Sequence, residues 1–396
     1  MSILNLQGCK SSSVYNIFIF FLLKKVADII KLKIYMLYNM TTINTINTIN
    51  IIGFTNIKCS ISDNVYILKK YIHNNNLNAK VNIISLFDIN NNNIQKLINN
   101  NNINNNIFCI QPFEIARNIG NSFEIIKFLN LHHKKPSVLW VWEFKSLPQI
   151  FKTYEKYFHT IYVQSQFCYM IFSKNLTVSI KKLQLTSRIH DYIDALSEHN
   201  IQNMNINKII KDTIGKVRIG YCFDLNSSII RKNALNLVKA FNEISNNKEK
   251  NLALIIKYRL PRGNQFVNSL EERLFQDFIH ISNISKNIYL INEELALLDL
   301  YKLYTHFDYY ISPHCGEGFG ITIYDNMILG NKIISPYYSG EKAYLKRDKI
   351  IELKYEEKYI EGFKKHPIYG QMNDFTAAYV SVDSIKNTIM NLKEVN

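Results

Sequence analysis

The chain has 396 residues, of which 47% are apolar and 20% are charged, and its formal net charge at pH 7 is +15. This length is sufficient for two ordinary domains that each bury a core of their own. The basic balance favours an anionic substrate or an anionic membrane surface. Because no RNA-binding motif, zinc-ligand spacing or continuous basic helix is present, we expect no nucleic-acid partner.

The six cysteines stand at positions 9, 59, 109, 168, 222 and 315, and no two of them form a close pair. This spacing argues against a disulfide framework and against a zinc site, and it favours a reducing compartment. We therefore predict a cytoplasmic protein and leave open a peripheral contact with a membrane.

Residues 1–49 are interpreted as an N-terminal extension. Its apolar run, Val14–Leu23, is too short to span a bilayer, and no signal-peptide cleavage site follows it. Residues 14–38 are basic and apolar, which is typical of a helix lying on a membrane surface. The alternative is a disordered extension that precedes a true start at Met40. If the membrane helix exists, deletion of residues 1–39 is expected to release the protein to the soluble fraction.

Apolar runs of strand length follow one another along the chain, with helical stretches between them. The runs lie at 50–54, 81–87, 106–112, 137–143 and 160–165, and then at 216–223, 251–258, 287–292, 307–313 and 331–337. The helical stretches include 64–73, 234–244, 267–282, 295–305 and 320–329. This alternation predicts an α/β fold with doubly wound parallel sheets.

The elements form two series. The first occupies 50–205 and contains an asparagine-rich insertion at 90–106, which favours a loop because asparagine is a poor helix former. A polar connection over 195–213 leads to the second series in 214–380, and a C-terminal helix is predicted over 381–396. We interpret the two series as Rossmann-like domains facing a central cleft, where ligands usually bind.

Glycines are concentrated in one turn between a strand and a helix. Gly316, Gly318 and Gly320 alternate around Glu317. Glycine permits positive φ and lets a ligand approach bare backbone. We expect the amides of Gly318, Phe319 and Gly320 to point outward at the helix N-terminus, a favourable position for phosphate.

Asp325 follows in the helix, roughly 7–8 Å further along its axis. Glu317 and Asp325 are therefore predicted to hold opposite ends of one extended ligand, with phosphates between them. Carboxylates accept the hydrogen bonds that sugar hydroxyl groups donate, and a nucleotide sugar carries hydroxyls at both ends of its diphosphate.

The segment GEGFGITIYDNMILGNKIISPYYSG, residues 316–340, resembles the signature of family-4 retaining glycosyltransferases of GT-B fold. In that family one glutamate contacts the donor sugar, and a second, after seven intervening residues, holds the ribose. The resemblance implies these roles for Glu317 and Asp325, although aspartate is a departure that shortens the reach by one methylene. It also implies a set of donor-binding residues: Gly316, Gly318, Phe319, Gly320, Ile321, Ser339 and Gly340.

Two further segments resemble a branch of this family. Residues 222–241 resemble the start of its nucleotide-binding domain, with Arg231 and Lys232 before a helix, and residues 254–258 place Lys257 where that branch has a lysine. Such cations stabilise the charge that develops on a departing diphosphate. The alternative is that Arg231 and Lys232 are solvated residues at a helix start.

The first half of the chain carries a weaker resemblance. The segment SVLWVWEFKSLP resembles a strand of the acceptor domain, which implies that Trp142 and Glu143 line the acceptor side, although Trp142 is equally typical of a core. Where the family has a glycine-rich loop after its first strand, this chain has serines. Ser60 and Ser62 are therefore candidates to donate hydrogen bonds instead.

Together the resemblance implies a glycosyltransferase that moves a sugar from a nucleotide-diphosphate sugar to a hydroxyl of a glycan or lipid-linked acceptor. Retention of configuration, a hexosyltransferase or mannosyltransferase-like specificity, and independence of metal and cofactor follow as expectations. Glu317, Lys232 and Lys257 are the expected catalytic residues, and Glu317→Ala is expected to abolish transfer while leaving the fold intact. The alternatives are a catalytically silent sugar-nucleotide-binding protein, a GT-B epimerase, and a basic protein that binds nucleic acid or a membrane surface.

Overall fold

The structure is a computed structural model that describes residues 48–55, 60–75, 79–89, 94, 97, 105–184, 186–245, 251–372 and 375–392. The candidate membrane-surface helix over 14–38 and most of the asparagine-rich insertion lie outside these ranges. Within them, no helix combines the length and the apolar character that crossing a bilayer requires.

The first half of the described chain forms a six-stranded parallel sheet. Its spatial order is β2-β1-β3-β4-β5-β6, and the strands are β1 (Thr48–Gly53), β2 (Lys80–Ser85), β3 (Asn106–Cys109), β4 (Ser137–Leu139), β5 (Thr160–Val163) and β6 (Ser179–Lys182). The helices of this half are α1 (Ser60–Asn75), α2 (Pro112–Ala116), α3 (Ser122–Leu131), α4 (Gln149–Glu155) and α5 (Gln166–Asn175). Parallel strands need such crossovers, and their helices cover the sheet, which is why the inner strands β3, β4 and β5 are almost fully buried, whereas β6 at the edge is mostly exposed.

The second half forms another six-stranded parallel sheet, in the order β12-β11-β10-β7-β8-β9. Its strands are β7 (Val217–Asp224), β8 (Leu252–Arg259), β9 (Ile288–Ile291), β10 (Tyr309–Ile311), β11 (Lys332–Ser335) and β12 (Ile351–Glu352). The accompanying helices are α6 (Met204–Asp212), α7 (Ile229–Lys232), α8 (Ala234–Ser245), α9 (Ser269–Ile284), α10 (Leu297–Tyr304), α11 (Ile321–Ile328) and α12 (Val382–Met390). A small antiparallel pair, β13 (Glu356–Lys358) and β14 (Ala377–Tyr379), completes it.

The order of the second sheet reverses between β7 and β10. From β7 the chain first moves outward through β8 and β9, and it then returns to the other side of β7 for β10, β11 and β12. The loops that follow β7 and β10 therefore leave neighbouring strands in opposite directions and open a crevice at their carboxyl ends. The first loop leads to Arg231 and Lys232, and the second contains Glu317.

The predicted α/β class with two doubly wound parallel sheets is confirmed. Each sheet has one edge strand that was not predicted, β6 in the first and β12 in the second, and two further details differ. The strand predicted over 137–143 ends at Leu139, because the following residues leave the sheet with Trp140 and Trp142 buried in the core. The polar connection predicted over 195–213 contains α6, whose Ile206 and Ile209 are buried although the segment is polar on average.

An aromatic cluster links the end of the chain to the first half. The ring of Phe144 lies 5.5 Å from that of Phe363, 5.1 Å from that of Tyr369 and 5.0 Å from that of Phe375, measured between centroids. Edge-to-face contacts of this kind add to the stabilisation that burial provides. The segment after β13 is thus anchored on the core of the first half, directly beside Trp142 and Glu143.

Asn233 provides a test of the packing that positions α7. It follows α7 with a left-handed φ of 57°, and its Nδ2 donates to the carbonyls of Pro313 (3.0 Å) and Val380 (2.9 Å). Asn233→Ala removes both buried hydrogen bonds, so we expect the free energy of unfolding in urea to fall by about 2–4 kcal/mol.

The matched control is Asn121→Ala, because Asn121 is also left-handed (φ 55°) but is exposed. Only the backbone conformation is penalised there, at roughly 1 kcal/mol. Equal losses for the two variants would contradict the role given to the Asn233 side chain.

Candidate functional site

The loop after β7 is held rigidly where it enters α7. Ser228 caps this short helix by accepting a hydrogen bond from the backbone N–H of Arg231 (3.2 Å). The buried carboxylate of Glu271 accepts from the Ser228 hydroxyl at 2.5 Å and from the Ile229 amide at 2.7 Å. Arg231 and Lys232 therefore project from a helical turn whose start is fixed by four hydrogen-bonding groups.

The loop after β10 is the glycine turn, residues 312–320, and every residue in it is buried. A Cβ atom at Gly316 would lie 2.4 Å from the carbonyl oxygen of Glu143, and one at Gly318 would lie 2.1 Å from Cγ1 of Val141. Glycine is needed at both positions because the backbone of the first half approaches so closely. The expected outward-pointing turn is therefore not observed: segment 141–143 of the first half covers it.

The carbonyl groups of the turn are occupied by protein donors. The Ser165 hydroxyl donates to the Gly318 carbonyl at 2.5 Å, and the Tyr344 hydroxyl lies 2.8 Å from the carbonyl oxygens of both Phe319 and Gly320. Gly320 has φ +80° and caps α11.

The amide groups of the turn differ from its carbonyl groups in their hydrogen bonding. In the part of the chain that the structure describes, the N–H groups of Gly318, Phe319 and Gly320 have no hydrogen-bond partner. Buried amides without partners are rare, and at a helix N-terminus they favour an anion. Ile321 is the first residue of this helix, α11.

Glu317 lies between two cations. The Lys232 ammonium donates to Oε1 of Glu317, and Nη1 of Arg231 lies 3.1 Å from the same oxygen. Burial raises the pKa of Glu317, but the charges of Lys232 and Arg231 outweigh burial and lower the pKa to about 2. Glu317 is therefore ionised at neutral pH, and it can accept hydrogen bonds but not supply a proton.

Arg231 joins three segments of the chain. Besides its contact with Glu317, Nη1 donates to the carbonyl of Gly316 at 2.7 Å, and Nη2 lies 3.6 Å from Oε1 of Glu143 in the first half. The side chain is only 5% exposed. Burial disfavours the charged guanidinium, yet the two carboxylates keep the pKa of Arg231 above its ordinary value.

Ser339 and Gly340 support the back of the glycine turn. The amide of Glu317 donates to the Ser339 hydroxyl oxygen (2.8 Å), and the Gly340 amide donates to the Glu317 carbonyl (2.8 Å). A Cβ atom at Gly340 would lie 2.1 Å from the Gly318 carbonyl oxygen, so a side chain has no room there. These contacts fix the backbone on both sides of Glu317.

Glu341 was not identified from the sequence, although it organises this support. Its fully buried carboxylate accepts from the amides of Tyr338 (2.6 Å) and Ser339 (2.7 Å) and from the Ser339 hydroxyl (2.8 Å), and His314 Nε2 lies 3.3 Å away. Burial raises the pKa of Glu341, but His314 and the two amides lower it below its ordinary value. The sequence feature that could have identified Glu341 is its position as a charged residue directly after Ser339 and Gly340.

Asp325 is buried on α11 and accepts a hydrogen bond from the hydroxyl of Ser187, in the segment after β6. Burial raises its pKa to about 8, while the Ser187 hydrogen bond lowers it and nearby Asp63 raises it further. Like the glycine turn, Asp325 therefore meets the first half of the chain instead of an open cleft.

The remaining candidates are Lys257, Trp142 and Ser60, and the backbone of Trp142 packs against the position of Gly318. The ammonium of Lys257 donates to the carbonyl of Tyr258 (2.8 Å), and burial lowers its pKa. Trp142 is buried in the core, with its Nε1 donating to the Ser146 carbonyl (2.7 Å). Ser60 is the first residue of α1. The structure thus brings Arg231, Lys232, Glu317, Ser339 and Gly340 together and places Glu143, from the segment after β4, beside Arg231.

No protein-family model matches the chain, and no curated protein matches its sequence. Solved structures do resemble it. HepE from Anabaena, in complex with UDP-glucose, has a TM-score of 0.51 at 10% identity, over 76% of this chain and 83% of HepE. A UDP-forming trehalose-phosphate synthase from Burkholderia vietnamiensis has a TM-score of 0.52 at 7% identity, over 74% of this chain and 86% of the synthase.

The corresponding synthase from Burkholderia xenovorans, in complex with glucose-6-phosphate, has a TM-score of 0.52 at 10% identity, over 82% of this chain and 74% of that protein. At such identities the likeness concerns the fold. Together with the two doubly wound sheets, it confirms the predicted GT-B fold.

Asp325 gives a prediction on pH. Its folded pKa of about 8 lies above the ordinary 3.8, so the folded state retains a proton that the unfolded state releases. The stability that Asp325 contributes is fully present below the unfolded pKa and is lost as the pH rises through about 8. The asparagine of Asp325→Asn is neutral at every pH. We therefore expect the free energy of unfolding of Asp325→Asn to increase relative to that of the wild type as the pH rises from 3.8 to about 8.

Urea unfolding across this pH interval measures the difference. Asp383→Asn is the control, because it makes the same substitution at a side chain that is 79% exposed and pairs with Lys386 at the surface. If the difference in free energy of unfolding between Asp325→Asn and the wild type does not change with pH, Asp325 is not a buried, protonated group.

Proposed function

We propose that the protein is a glycosyltransferase that transfers the sugar of a nucleotide-diphosphate sugar to a hydroxyl group of an acceptor. One observation carries this proposal: at the reversal point of the second sheet, two cations and one ionised carboxylate accompany a glycine turn whose amides have no partner among the described residues. Amides and cations are the groups that bind a diphosphate, and a carboxylate is the group that accepts hydrogen bonds from sugar hydroxyls.

The donor would divide among these groups as follows. The diphosphate lies on the amides of Phe319 and Gly320 and pairs with Arg231 and Lys232, which stabilise the charge on the leaving phosphate. Glu317 accepts hydrogen bonds from the sugar. In this proposal Asp325 holds the ribose, once its contact with Ser187 is broken.

We extend the family-4 resemblance to this protein as part of the proposal, including retention of configuration and independence of metal. UDP-sugars are the first donors to test, since HepE was solved with UDP-glucose and the similar synthases are UDP-forming. The acceptor, a glycan or lipid-linked glycan, is proposed to approach from the first half of the chain.

Substrate binding requires the two halves to separate at the turn. Polar contacts that join them there include those of Ser165 with Gly318, Ser187 with Asp325, and Glu143 with Arg231. A diphosphate can replace the contact of Glu143 with Arg231, because it offers Arg231 and the amides of the turn a more highly charged acceptor than the protein does, whereas the hydrogen bonds donated by Ser165 and Ser187 must break. We interpret the structure as the closed arrangement of the two halves.

A second candidate function is a catalytically silent sugar-nucleotide-binding protein. It is favoured by the fact that Glu317 and Asp325 are both engaged by protein groups, Lys232 and Ser187. This candidate predicts that nucleotide sugars bind but that nucleoside diphosphate is not released. A release assay beside isothermal titration separates it from the enzyme.

Donor binding is predicted to stabilise the protein and to change its fluorescence. The chain contains two tryptophans, Trp140 and Trp142, and the Trp142 backbone contacts the position of Gly318. We expect one member of a panel of UDP-glucose, UDP-galactose, UDP-N-acetylglucosamine and GDP-mannose to raise the melting temperature with concentration and to shift tryptophan emission.

Arg231→Gln should abolish both responses, whereas Arg347→Gln should not, because Arg347 is an exposed arginine paired with Glu352. If no panel member produces either response in the wild type, the proposed donor site is wrong.

Glu317→Gln tests the role of the carboxylate. Glu317→Ala is a poorer test than the sequence indicated, because it would leave the buried Arg231 without its closest countercharge. Glutamine preserves the shape of the side chain, so we expect donor binding to persist while release of nucleoside diphosphate falls by about 10²- to 10³-fold.

The control is Glu198→Gln, which alters an exposed carboxylate outside the site. Undiminished turnover in Glu317→Gln, measured at saturating donor, would remove Glu317 from the mechanism.

A further inference from the structure

A cavity of about 220 Å³ lies between α1 and the segment that follows β6. Three residues of α1 and three of that segment line it: Lys70, Tyr71, Asn74, Gln184, Thr186 and His190. Asn74, Gln184 and His190 are exposed, so the cavity opens to solvent and is accessible to a ligand. None of its lining residues belongs to the candidate donor site described above.

Contacts between α1 and the segment hold the two walls of this cavity together. Nη1 of Arg188 lies 3.2 Å from Oδ1 of Asp63, and the guanidinium carbon lies 4.4 Å from the centre of the Tyr66 ring. One to two turns further along α1, the Lys70 ammonium donates to Oδ1 of Asp191 at 2.5 Å. The segment is therefore fastened to α1 at two points, and the separation of the walls is fixed by them.

Most of the polar side chains that line the cavity are available to a ligand. Among the described residues, the side chains of Tyr71, Asn74, Gln184 and Thr186 have no hydrogen-bond partner. Carboxamides carry both donors and acceptors, and a hydroxyl can act as either. Sugar hydroxyl groups also act as both, so this set of side chains matches them. Tyr71 is half-buried against the core and adds an aromatic ring, on which the apolar face of a sugar can pack.

The charges around the cavity are nearly balanced. Lys70 is paired with Asp191. Burial and the charge of Lys70 lower the pKa of His190 below its ordinary 6.5, although Asp191 raises it, so His190 is neutral at pH 7. Phosphate groups are bound by cations that are free to pair with them. The cavity therefore favours an uncharged polyhydroxylated ligand over a phosphorylated one.

The volume of the cavity limits the size of this ligand. Pockets for drug-sized ligands measure roughly 300–1,000 Å³. A cavity of about 220 Å³ is smaller, and it provides space for a single sugar ring.

We propose that this cavity is a carbohydrate-binding site that holds one uncharged sugar residue and is separate from the donor site. Asn74, Gln184 and Thr186 form hydrogen bonds with the hydroxyl groups, and the sugar ring packs on Tyr71. The proposal concerns binding alone, so it holds whether or not the protein transfers a sugar.

The test measures saccharide binding to the full-length protein by saturation-transfer-difference NMR. The probes are methyl α-glucoside, methyl α-mannoside, methyl β-galactoside and N-acetylglucosamine, with no nucleotide present. We expect at least one probe to bind with a dissociation constant on the order of 1 mM, which is typical of a ligand of this size. Gln184→Leu and Thr186→Val should each weaken that binding by about 2- to 10-fold, because each removes hydrogen bonds to the sugar.

The matched control is Gln149→Leu, which makes the same substitution at an exposed residue of α4 and should leave saccharide binding unchanged. Lys232→Gln alters the proposed donor site, and it should also bind the saccharide as the wild type does. If no probe binds, or if both Gln184→Leu and Thr186→Val bind as the wild type does, the cavity is not a carbohydrate site. Displacement of the saccharide by inorganic phosphate would overturn the uncharged ligand, and weaker binding by Lys232→Gln would overturn the separation from the donor site.

Discussion

The buried guanidinium of Arg231 is the interaction on which the site depends. A buried positive charge must be compensated, and here the compensation comes from Glu317, the Gly316 carbonyl and, across the two halves, Glu143. The contacts that neutralise Arg231 therefore bring three parts of the chain together: the glycine turn, helix α7 and segment 141–143 after β4. The resulting cluster is electrostatically satisfied without a ligand, and it can exchange its weaker partner for an incoming anion.

The topology explains why this cluster can form at all. Arg231 and Glu317 are 86 positions apart in the chain, yet β7 and β10 are hydrogen-bonded neighbours and their loops diverge at the same edge. The glycine turn then lies directly under segment 141–143. Small residues are needed at 316, 318 and 340 because other parts of the chain approach the backbone closely there. Among the described residues, the carbonyls of Gly318, Phe319 and Gly320 have hydrogen-bond donors, whereas their amides have no partner.

The fold was largely predictable because both sheets have two buried faces. The runs at 216–223 and 251–258 match β7 and β8 to within one residue, since continuous apolar sequence is what a covered parallel strand requires. The strand predicted over 137–143 was too long. Trp140 and Trp142 are apolar because they lie in the core, although they are outside the sheet. Periodicity does not distinguish these two environments.

The site was predictable only in part. Glycine spacing located the turn, and the resemblance indicated Arg231, Lys232 and Glu317, which the structure brings together. The contacts of Glu143 with Arg231 and of Ser187 with Asp325 depend on how closely two halves approach, and a single sequence contains no signal for that distance. For the same reason the sequence did not predict that segment 141–143 covers the glycine turn.

The most direct measurement is a crystal structure of the protein grown with UDP. If the glycine turn is a diphosphate site, the phosphate oxygens will lie about 3 Å from the amides of Phe319 and Gly320, Arg231 will have turned from Glu143 to the phosphate, and segment 141–143 will have moved off the turn. UDP bound elsewhere, or a turn that remains covered with Arg231 still on Glu143, would contradict this assignment.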